Sequence, residues 1–256
     1  MPTLRQRASS ASAETRDLWD CISATVGQSY SHYYETTDPL PYRGPYVEHH
    51  WPRIAVVASS DPVDVALSMQ TSDRLGCPKR VAVLNTANEK TPGGLWQGAV
   101  FAPEEALARR SNLVKTLMTG DDGLEAMHHY PLPERGGLFS PRVAVIRGGP
   151  EQNYAMWEEK EWRSVSVISV APERELQREK MRAVLRMAAY QGISDICLSP
   201  FGCGSYKNPV DEVCQIWKEL LLGRGSEFEG WFRNVLFAVA DGKGERNWEV
   251  FMRYFG

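Results

Sequence analysis

The feature that most constrains this chain is residues 81–113, where an apolar strand, a glycine-rich loop and the start of a helix follow one another. The apolar run at 81–84 is short enough to be a buried strand. The helical pattern begins with Pro103, and two carboxylates, Glu104 and Glu105, follow it directly. In such a connection, backbone N–H groups can face an anion. A phosphate cradle beside paired acids predicts a phosphate-bearing sugar as substrate.

A second glycine-rich connection lies at residues 199–208, between a short apolar strand at 196–198 and a helix from about Pro209. An ordinary tight turn is the alternative interpretation, because one glycine pair is a weak signal. Both connections come at the carboxyl ends of strands, where open α/β sheets bind ligands. Together they favour a ligand crevice at this edge of the sheet.

Asp61 follows a predicted strand at residues 54–58 and has two interpretations. Its carboxylate can contact a ligand at the same sheet edge. It can equally cap the next helix, since an aspartate followed by Pro62 is a typical helix start.

Alternating strand and helix patterns along the chain predict a three-layer α/β fold. The predicted strands are residues 54–58, 81–84, 143–146, 165–170, 196–198 and 235–240, and the predicted helices are residues 12–26, 63–75, 104–119, 173–190, 209–222 and 247–255. In the helix at 104–119, Arg109 and Arg110 are predicted to face water. No linker, repeat or low-complexity tract divides the sequence, so we expect one domain over 1–256, with 1–53 a helical and aromatic extension packed on it.

Composition narrows the class of partner and the compartment. A formal net charge of −3 gives no reason to expect direct nucleic-acid binding or membrane-surface binding. Five scattered cysteines without a C-x-x-C motif favour a reducing compartment. The chain lacks a signal-like N-terminus and a long apolar run, which predicts an intracellular protein of the cytoplasm or nucleus.

Three histidines, His32, His49 and His50, lie in the aromatic-rich segment 30–51. They lack the spacing of metal ligands and no cysteine lies beside them, so no metal is expected. An aromatic cover over the core is the favoured interpretation of this segment.

Beyond these patterns, the residues resemble a known family, the microbial-type poly(ADP-ribose) glycohydrolases of the macrodomain fold. Asn85-Thr86-Ala87-Asn88, Pro92-Gly93-Gly94 and Gly98-Ala99 resemble that family's ribose-binding loop. The segment 103–105 stands where the family carries a Gln-Glu-Glu signature, and 201–208 resembles its diphosphate-binding loop. The resemblance implies a macrodomain-like α/β/α fold with a central mixed sheet.

The resemblance also implies an activity, hydrolysis of the ribosyl O-glycosidic bond of poly(ADP-ribose) or of ADP-ribosylated protein, without a metal or cofactor. Glu105 would act as general acid and then as base, while Glu104 would bind ribose hydroxyls. Its partners would be ADP-ribose or ADP-ribosylated protein, and we expect a monomer. The implied ligand-binding residues are Asp61, Asn85, Asn88, Gly93, Gly94, Gly98, Ala99, Phe201, Gly202, Cys203, Gly204, Ser205 and Tyr206.

Two departures from the family pattern bear on the reacting end of the ligand. Leu95 stands where a third glycine is usual, and Pro103 replaces the glutamine before the two acids. They leave two alternatives open, a non-catalytic ADP-ribose-binding module and a hydrolase of a small ADP-ribose derivative. The acids themselves have a second interpretation as helix-start carboxylates, and Phe201 has one as a core residue.

Overall fold

The architecture is described from a computed structural model, which covers residues 3–41, 44–45, 51–70, 79–242 and 244–256. Within these residues the strands are β1 (His32–Tyr34), β2 (Arg53–Ala58), β3 (Val81–Thr86), β4 (Gly137–Val145), β5 (Arg163–Val170), β6 (Asp195–Leu198) and β7 (Asn234–Val239). The α-helices are α1 (Leu4–Asp17), α2 (Trp19–Val26), α3 (Pro62–Met69), α4 (Pro103–Arg110), α5 (Leu113–Leu117), α6 (Gln177–Tyr190), α7 (Val210–Leu222) and α8 (Asn247–Phe255).

The strands form one mixed sheet in the order β1-β4-β5-β3-β6-β7-β2. Strands β5, β3, β6, β7 and β2 pair in parallel, whereas β4 pairs antiparallel with both β1 and β5. Parallel strands carry near-continuous apolar runs because helices cover both their faces. The predicted α/β fold with a central mixed sheet is therefore confirmed.

Alternation along β3 shows how the sheet separates two layers of helices. Ala82 and Leu84 point into the core formed with α6, α7 and α8. Val81 and Val83 point into the opposite core, formed with α3, α4 and α5. Three layers result, with the sheet in the middle.

The N-terminal helix begins earlier than predicted and ends sooner, so the helix expected over 12–26 is in fact α1 and α2. Helix α1 lies against α4 and the loop before it. Its Ser12 hydroxyl donates to the carbonyl of Trp96 at 2.7 Å. Its Thr15 hydroxyl donates to the carbonyl of Arg109 at 2.6 Å.

The helix predicted over 104–119 is interrupted at Ser111, and two shorter helices take its place. The following residue pairs with strand β4 instead of continuing the helix. The side-chain oxygen of Asn112 accepts from the backbone N–H of Ala144 at 2.8 Å. The backbone N–H of Asn112 donates to the Ala144 carbonyl at 3.2 Å. A helical apolar pattern cannot show such a tertiary contact, which overrides propensity here.

Other boundaries differ for identifiable reasons. Strand β4 begins at Gly137 although only 143–146 was predicted, because Pro141 and a register shift between Ser140 and Val143 hide its first half. Strand β1, with three residues, is too short for a sequence pattern. The predicted end of the helix at residue 75 lies outside the described residues, as do His49 and His50.

Two findings concern what the described part of the chain lacks. No helix there is both long and apolar enough to cross a membrane. No group of three or more His, Cys, Asp or Glu side chains there is arranged to hold a metal ion.

Candidate active site

The two acids at the start of α4 are buried and bonded to the loop that precedes them. Glu104 is 5 % exposed and Glu105 8 %. The backbone N–H of Asn88 donates to Glu104 Oε2 at 2.7 Å, and that of Leu95 donates to Glu105 Oε1 at 3.1 Å. Both carboxylates thus hold the glycine loop in place, in addition to facing the positive end of the helix.

Gly94 lies where both carboxylates approach the backbone. Its φ of +58° is in the region that favours glycine. A Cβ on Gly94 would lie 2.6 Å from Glu105 Oε1 and 3.1 Å from Glu104 Oε2. Any side chain there would displace the acids, so this glycine is a steric requirement of the site.

Burial dominates the electrostatics of Glu104. Its pKa is raised to about 8, first by loss of solvent and then by the charge of Glu105, while the Asn88 N–H and the nearby polar groups of Asn85 and Gly93 act to lower it. Burial therefore favours the protonated form of Glu104. Its Oε1 atom is buried and has no hydrogen-bond partner among the described residues.

The two predicted asparagines differ in what their side chains do. Asn85 is buried at the end of β3 and donates to the Ser169 hydroxyl at 3.1 Å. Asn88 is exposed, and its side-chain oxygen accepts from the backbone N–H groups of Lys90 and Thr91, both at 2.9 Å. This Asx turn shapes the loop between β3 and α4.

Arg109 is completely buried, which corrects the prediction that it faces water. Its Nε donates to the Trp96 carbonyl at 2.8 Å and its Nη2 to the Gly98 carbonyl at 2.9 Å. The guanidinium lies 5.5 Å from the centre of the Phe101 ring. Arg109 therefore fixes the second half of the glycine loop, next to Ala99, through two backbone carbonyls.

Arg110 is also completely buried, and it pairs with Asp61. Arg110 Nη1 lies 2.7 Å from Asp61 Oδ2 and 2.8 Å from Asp64 Oδ1. The other oxygen of Asp61 accepts from the backbone N–H of Val63 at 2.9 Å. Both oxygens of Asp61 are engaged inside the protein, so the structure supports its capping role. Its contact with a ligand stays a prediction.

The second loop is shaped by Gly202 and Asn208. Gly202 has a φ of +71°, and a Cβ there would lie 2.3 Å from Asn208 Nδ2. That amide is buried and donates to the carbonyls of Pro172 and Phe201, both at 3.1 Å. Asn208 was absent from the predicted site, although its position directly before Pro209 ends the loop; its role is to fold the loop.

The other predicted residues of the second loop differ in how far they are buried. Phe201 is 0 % exposed and packs edge-to-face on Trp217, so it is a core residue and its expected ligand contact is corrected. Burial raises the pKa of the Cys203 thiol to about 12, which keeps it neutral and a poor nucleophile. Gly204, Ser205 and Tyr206 are exposed at the tip of the loop.

The side chain of Tyr206 indicates how near the second loop lies to the first. Burial raises the pKa of Tyr206, as do the charges of Glu104 and Glu89, while the backbone N–H of Glu89 lowers it. Tyr206 of the second loop therefore lies close to the first loop and its acids. A ligand crevice between the two glycine loops stays a prediction.

One further residue at this crevice was missed by sequence reasoning, Tyr130. Its pKa is raised well above the usual value by burial and then by the charge of Glu104. The segment that carries it lies against the first loop, since the Leu132 N–H donates to the Glu89 carbonyl at 2.7 Å. No local motif marks Tyr130, because only the tertiary fold brings residues 130–132 to the loop.

Comparison with known proteins agrees with this geometry. The family model described as microbial-type PARG, catalytic domain, matches residues 13–148, which include both acids and the first loop but not the second. No curated protein sequence matches the chain.

Solved structures share the fold. Poly(ADP-ribose) glycohydrolase from Thermomonospora curvata is 24 % identical with a TM-score of 0.73, over 97 % of this chain and 99 % of that one. The same protein bound to the inhibitor ADP-HPD gives 24 % and 0.72, over 96 % and 98 %. The Deinococcus radiodurans enzyme in complex with ADP-ribose gives 22 % and 0.63, over 94 % and 91 %. The match of the family model over more than half of the sequence shows that this chain belongs to the microbial-type poly(ADP-ribose) glycohydrolase catalytic-domain family.

Proposed function

We propose that this chain hydrolyses the ribosyl O-glycosidic bond of poly(ADP-ribose) or of ADP-ribosylated protein in the crevice between its two glycine loops. One observation carries the proposal: two adjacent buried carboxylates, Glu104 and Glu105, are each held by a backbone N–H of the first loop. Glycoside hydrolases use paired carboxyl groups beside the scissile bond. Membership of the glycohydrolase family supports the reaction type.

Glu105 is assigned the proton transfers. The Leu95 N–H fixes its Oε1, which leaves the other oxygen to face the substrate. As general acid, Glu105 gives a proton to the leaving oxygen as the bond from that oxygen to the anomeric carbon breaks. The resulting carboxylate then takes a proton from the attacking water, which becomes the new anomeric hydroxyl. The transition state of the bond cleavage is oxocarbenium-like.

Glu104 and the loops are assigned the binding of the rest of the ligand. The unpartnered Oε1 of Glu104 is available to a ribose hydroxyl. Backbone N–H groups of the two loops suit the diphosphate, because consecutive amides in a glycine-rich turn form an anion-binding concavity. ADP-ribose is the ligand of the structurally similar Deinococcus protein.

The test replaces each acid by its amide. In Glu105→Gln we expect hydrolysis to fall by roughly 10²–10⁴-fold, while ADP-ribose binding measured by calorimetry is retained, because the amide keeps the shape but cannot transfer the proton. Glu104→Gln should weaken both hydrolysis and binding. The measurement is ADP-ribose release from automodified substrate.

The matched control is Glu179→Gln, which removes an acid from the first turn of α6. It should behave as wild type. Full activity of Glu105→Gln would assign the acid elsewhere and leave the pair a structural role.

A smaller substrate is favoured by one observation. Leu95, bonded through its backbone to Glu105, leaves 66 % of its surface exposed. An apolar side chain at the mouth of the site occupies space that a third glycine would leave to the leaving group. We therefore propose as the alternative a hydrolase that prefers a single ADP-ribose adduct or a small derivative over polymer.

A further inference from the structure

A cavity of about 350 Å³ lies between helix α1 and the segment that follows strand β4. Among the residues that line it, Arg147 and Tyr154 are buried and form the floor. Ser10, Glu14 and Asn153 are exposed and form the rim. The volume is in the range of small-molecule sites, and the cavity shares no residue with the two glycine loops.

The guanidinium of Arg147 is bonded on one side only. Its Nη1 donates to Glu14 Oε2 at 2.9 Å. Its Nε and Nη2 are buried and have no hydrogen-bond partner among the described residues. These two nitrogens lie on one edge of the planar group, the edge that forms two parallel hydrogen bonds with a carboxylate or a phosphate. Because buried donors are nearly always bonded, this edge indicates a group that the protein itself does not provide.

The charges around the cavity favour an anion. Burial lowers the pKa of Arg147, while the hydrogen bond to Glu14 and the charge of Glu14 raise it. The Glu14 side chain is 54 % exposed, so water screens its charge and it offsets only part of the cost of burying the cation. Arg7 also lines the cavity, which gives two arginines against one glutamate.

We propose that this cavity binds a phosphate group, free or esterified to a small molecule, through the Nε and Nη2 edge of Arg147. A carboxylate has two oxygens, both of which this edge would satisfy. A phosphate has a third, which suits the donors of the rim, the Ser10 hydroxyl and the Asn153 amide. The volume leaves room for an organic group beside the phosphate. The proposal stands independently of the proposed function, because it uses none of the same residues.

The floor of the cavity is fixed, whereas its rim can move. The Tyr154 ring packs on Ala11 of α1, and its hydroxyl accepts from Arg109 Nη1 at 3.4 Å. Arg147 is 1 % exposed, so a ligand reaches its open edge only when a rim side chain turns aside. The exposed Glu14 side chain can do so, since exposed side chains change rotamer within nanoseconds.

Calorimetry with inorganic phosphate and with ribose 5-phosphate, in a buffer without other oxyanions, tests the site. Ser10→Asp adds a negative charge to the rim at an exposed position, so the fold is retained. Arg147→Lys keeps a cation beside Glu14 but removes the two-nitrogen edge. We expect each variant to lower the affinity for the bound ligand about tenfold. The control is Ser9→Asp, at the neighbouring exposed serine outside the cavity, which should bind as wild type does.

The two ligands distinguish the source of the phosphate. Tighter binding of ribose 5-phosphate would identify an ester as the ligand, and equal affinities would identify free phosphate. Wild type that binds neither ligand would overturn the proposal, because ordered water then fills the edge of Arg147. Binding that is equal in wild type and Ser10→Asp would also overturn it, since the phosphate then lies elsewhere, as at the glycine loops. If Arg147→Lys does not fold, Ser10→Asp alone decides.

Discussion

At the scale of single residues, the exposed side chain of Leu95 bears most directly on substrate choice. We expect Leu95→Gly to raise the rate of release from polymer relative to release from a singly modified protein, because it clears the mouth beside Glu105. The measurement is the ratio of the two rates. Leu124→Gly, which also removes an exposed leucine but from a remote turn, is the control.

An unchanged ratio in Leu95→Gly would show that the leucine does not select the substrate. The companion variant Pro103→Gln tests the other departure, since proline removes an amide donor beside the acids. If neither change raises the polymer rate, both departures are neutral.

Glu104 should also make stability depend on pH. Its pKa of about 8 in the folded protein exceeds its ordinary value of 4.5, because burial disfavours the charge. Between these pH values the folded state holds a proton that the unfolded state has lost. The free energy of unfolding should therefore fall as pH rises, by up to about 1.4 kcal/mol per pH unit from this group.

Urea unfolding of wild type and Glu104→Gln at several pH values between about 5 and 8 measures this contribution. The stability advantage of the wild-type protonated acid is complete below pH 4.5 and is lost as pH approaches about 8. The amide cannot ionise, so the variant should show a flatter pH dependence. Parallel curves for the two proteins would contradict a buried, proton-holding Glu104.

At the scale of elements, Arg109 of helix α4 connects the helix to the loop before it. Replacing it by methionine keeps the apolar stem but leaves the Trp96 and Gly98 carbonyls without their donor. We expect Arg109→Met to lower the free energy of unfolding by about 2–4 kcal/mol. Arg178→Met on the exposed face of α6 should change it by less than about 0.5 kcal/mol. Equal effects in denaturant unfolding would rule out this role for the buried guanidinium.

The elements show where sequence reasoning succeeds. Both strand–loop–helix connections were predictable, because a buried apolar strand, glycines and a helix start are local patterns. The interruption between α4 and α5 was not, since Asn112 leaves the helix for a contact with strand β4. Arg109 and Arg110 were assigned to water because charged side chains are rarely buried without partners, and their partners lie in other elements. Tyr130 was missed because only the tertiary fold brings residues 130–132 to the first loop.

At the scale of the whole molecule, the crevice depends on which strands are neighbours. The first loop follows β3 and the second follows β6, and these strands pair directly, with Val81 opposite Asp195. The sequence does not predict this neighbourhood, because alternating strand and helix patterns give the elements but not the order of the strands in the sheet. Asp61 follows β2, the strand at the opposite edge of the sheet from β1.

The pairing of β3 with β6 also has a kinetic consequence. Contacts between residues distant in sequence form slowly, because the chain loses the entropy of closing a long loop before the contacts stabilise it. The acids and the first loop lie within the segment 13–148, whereas the second loop lies after it. A nascent chain that has left the ribosome only as far as residue 148 contains Glu104, Glu105 and the first glycine loop but lacks the second loop. Recognition of the diphosphate therefore becomes complete only when the later strand has joined the sheet.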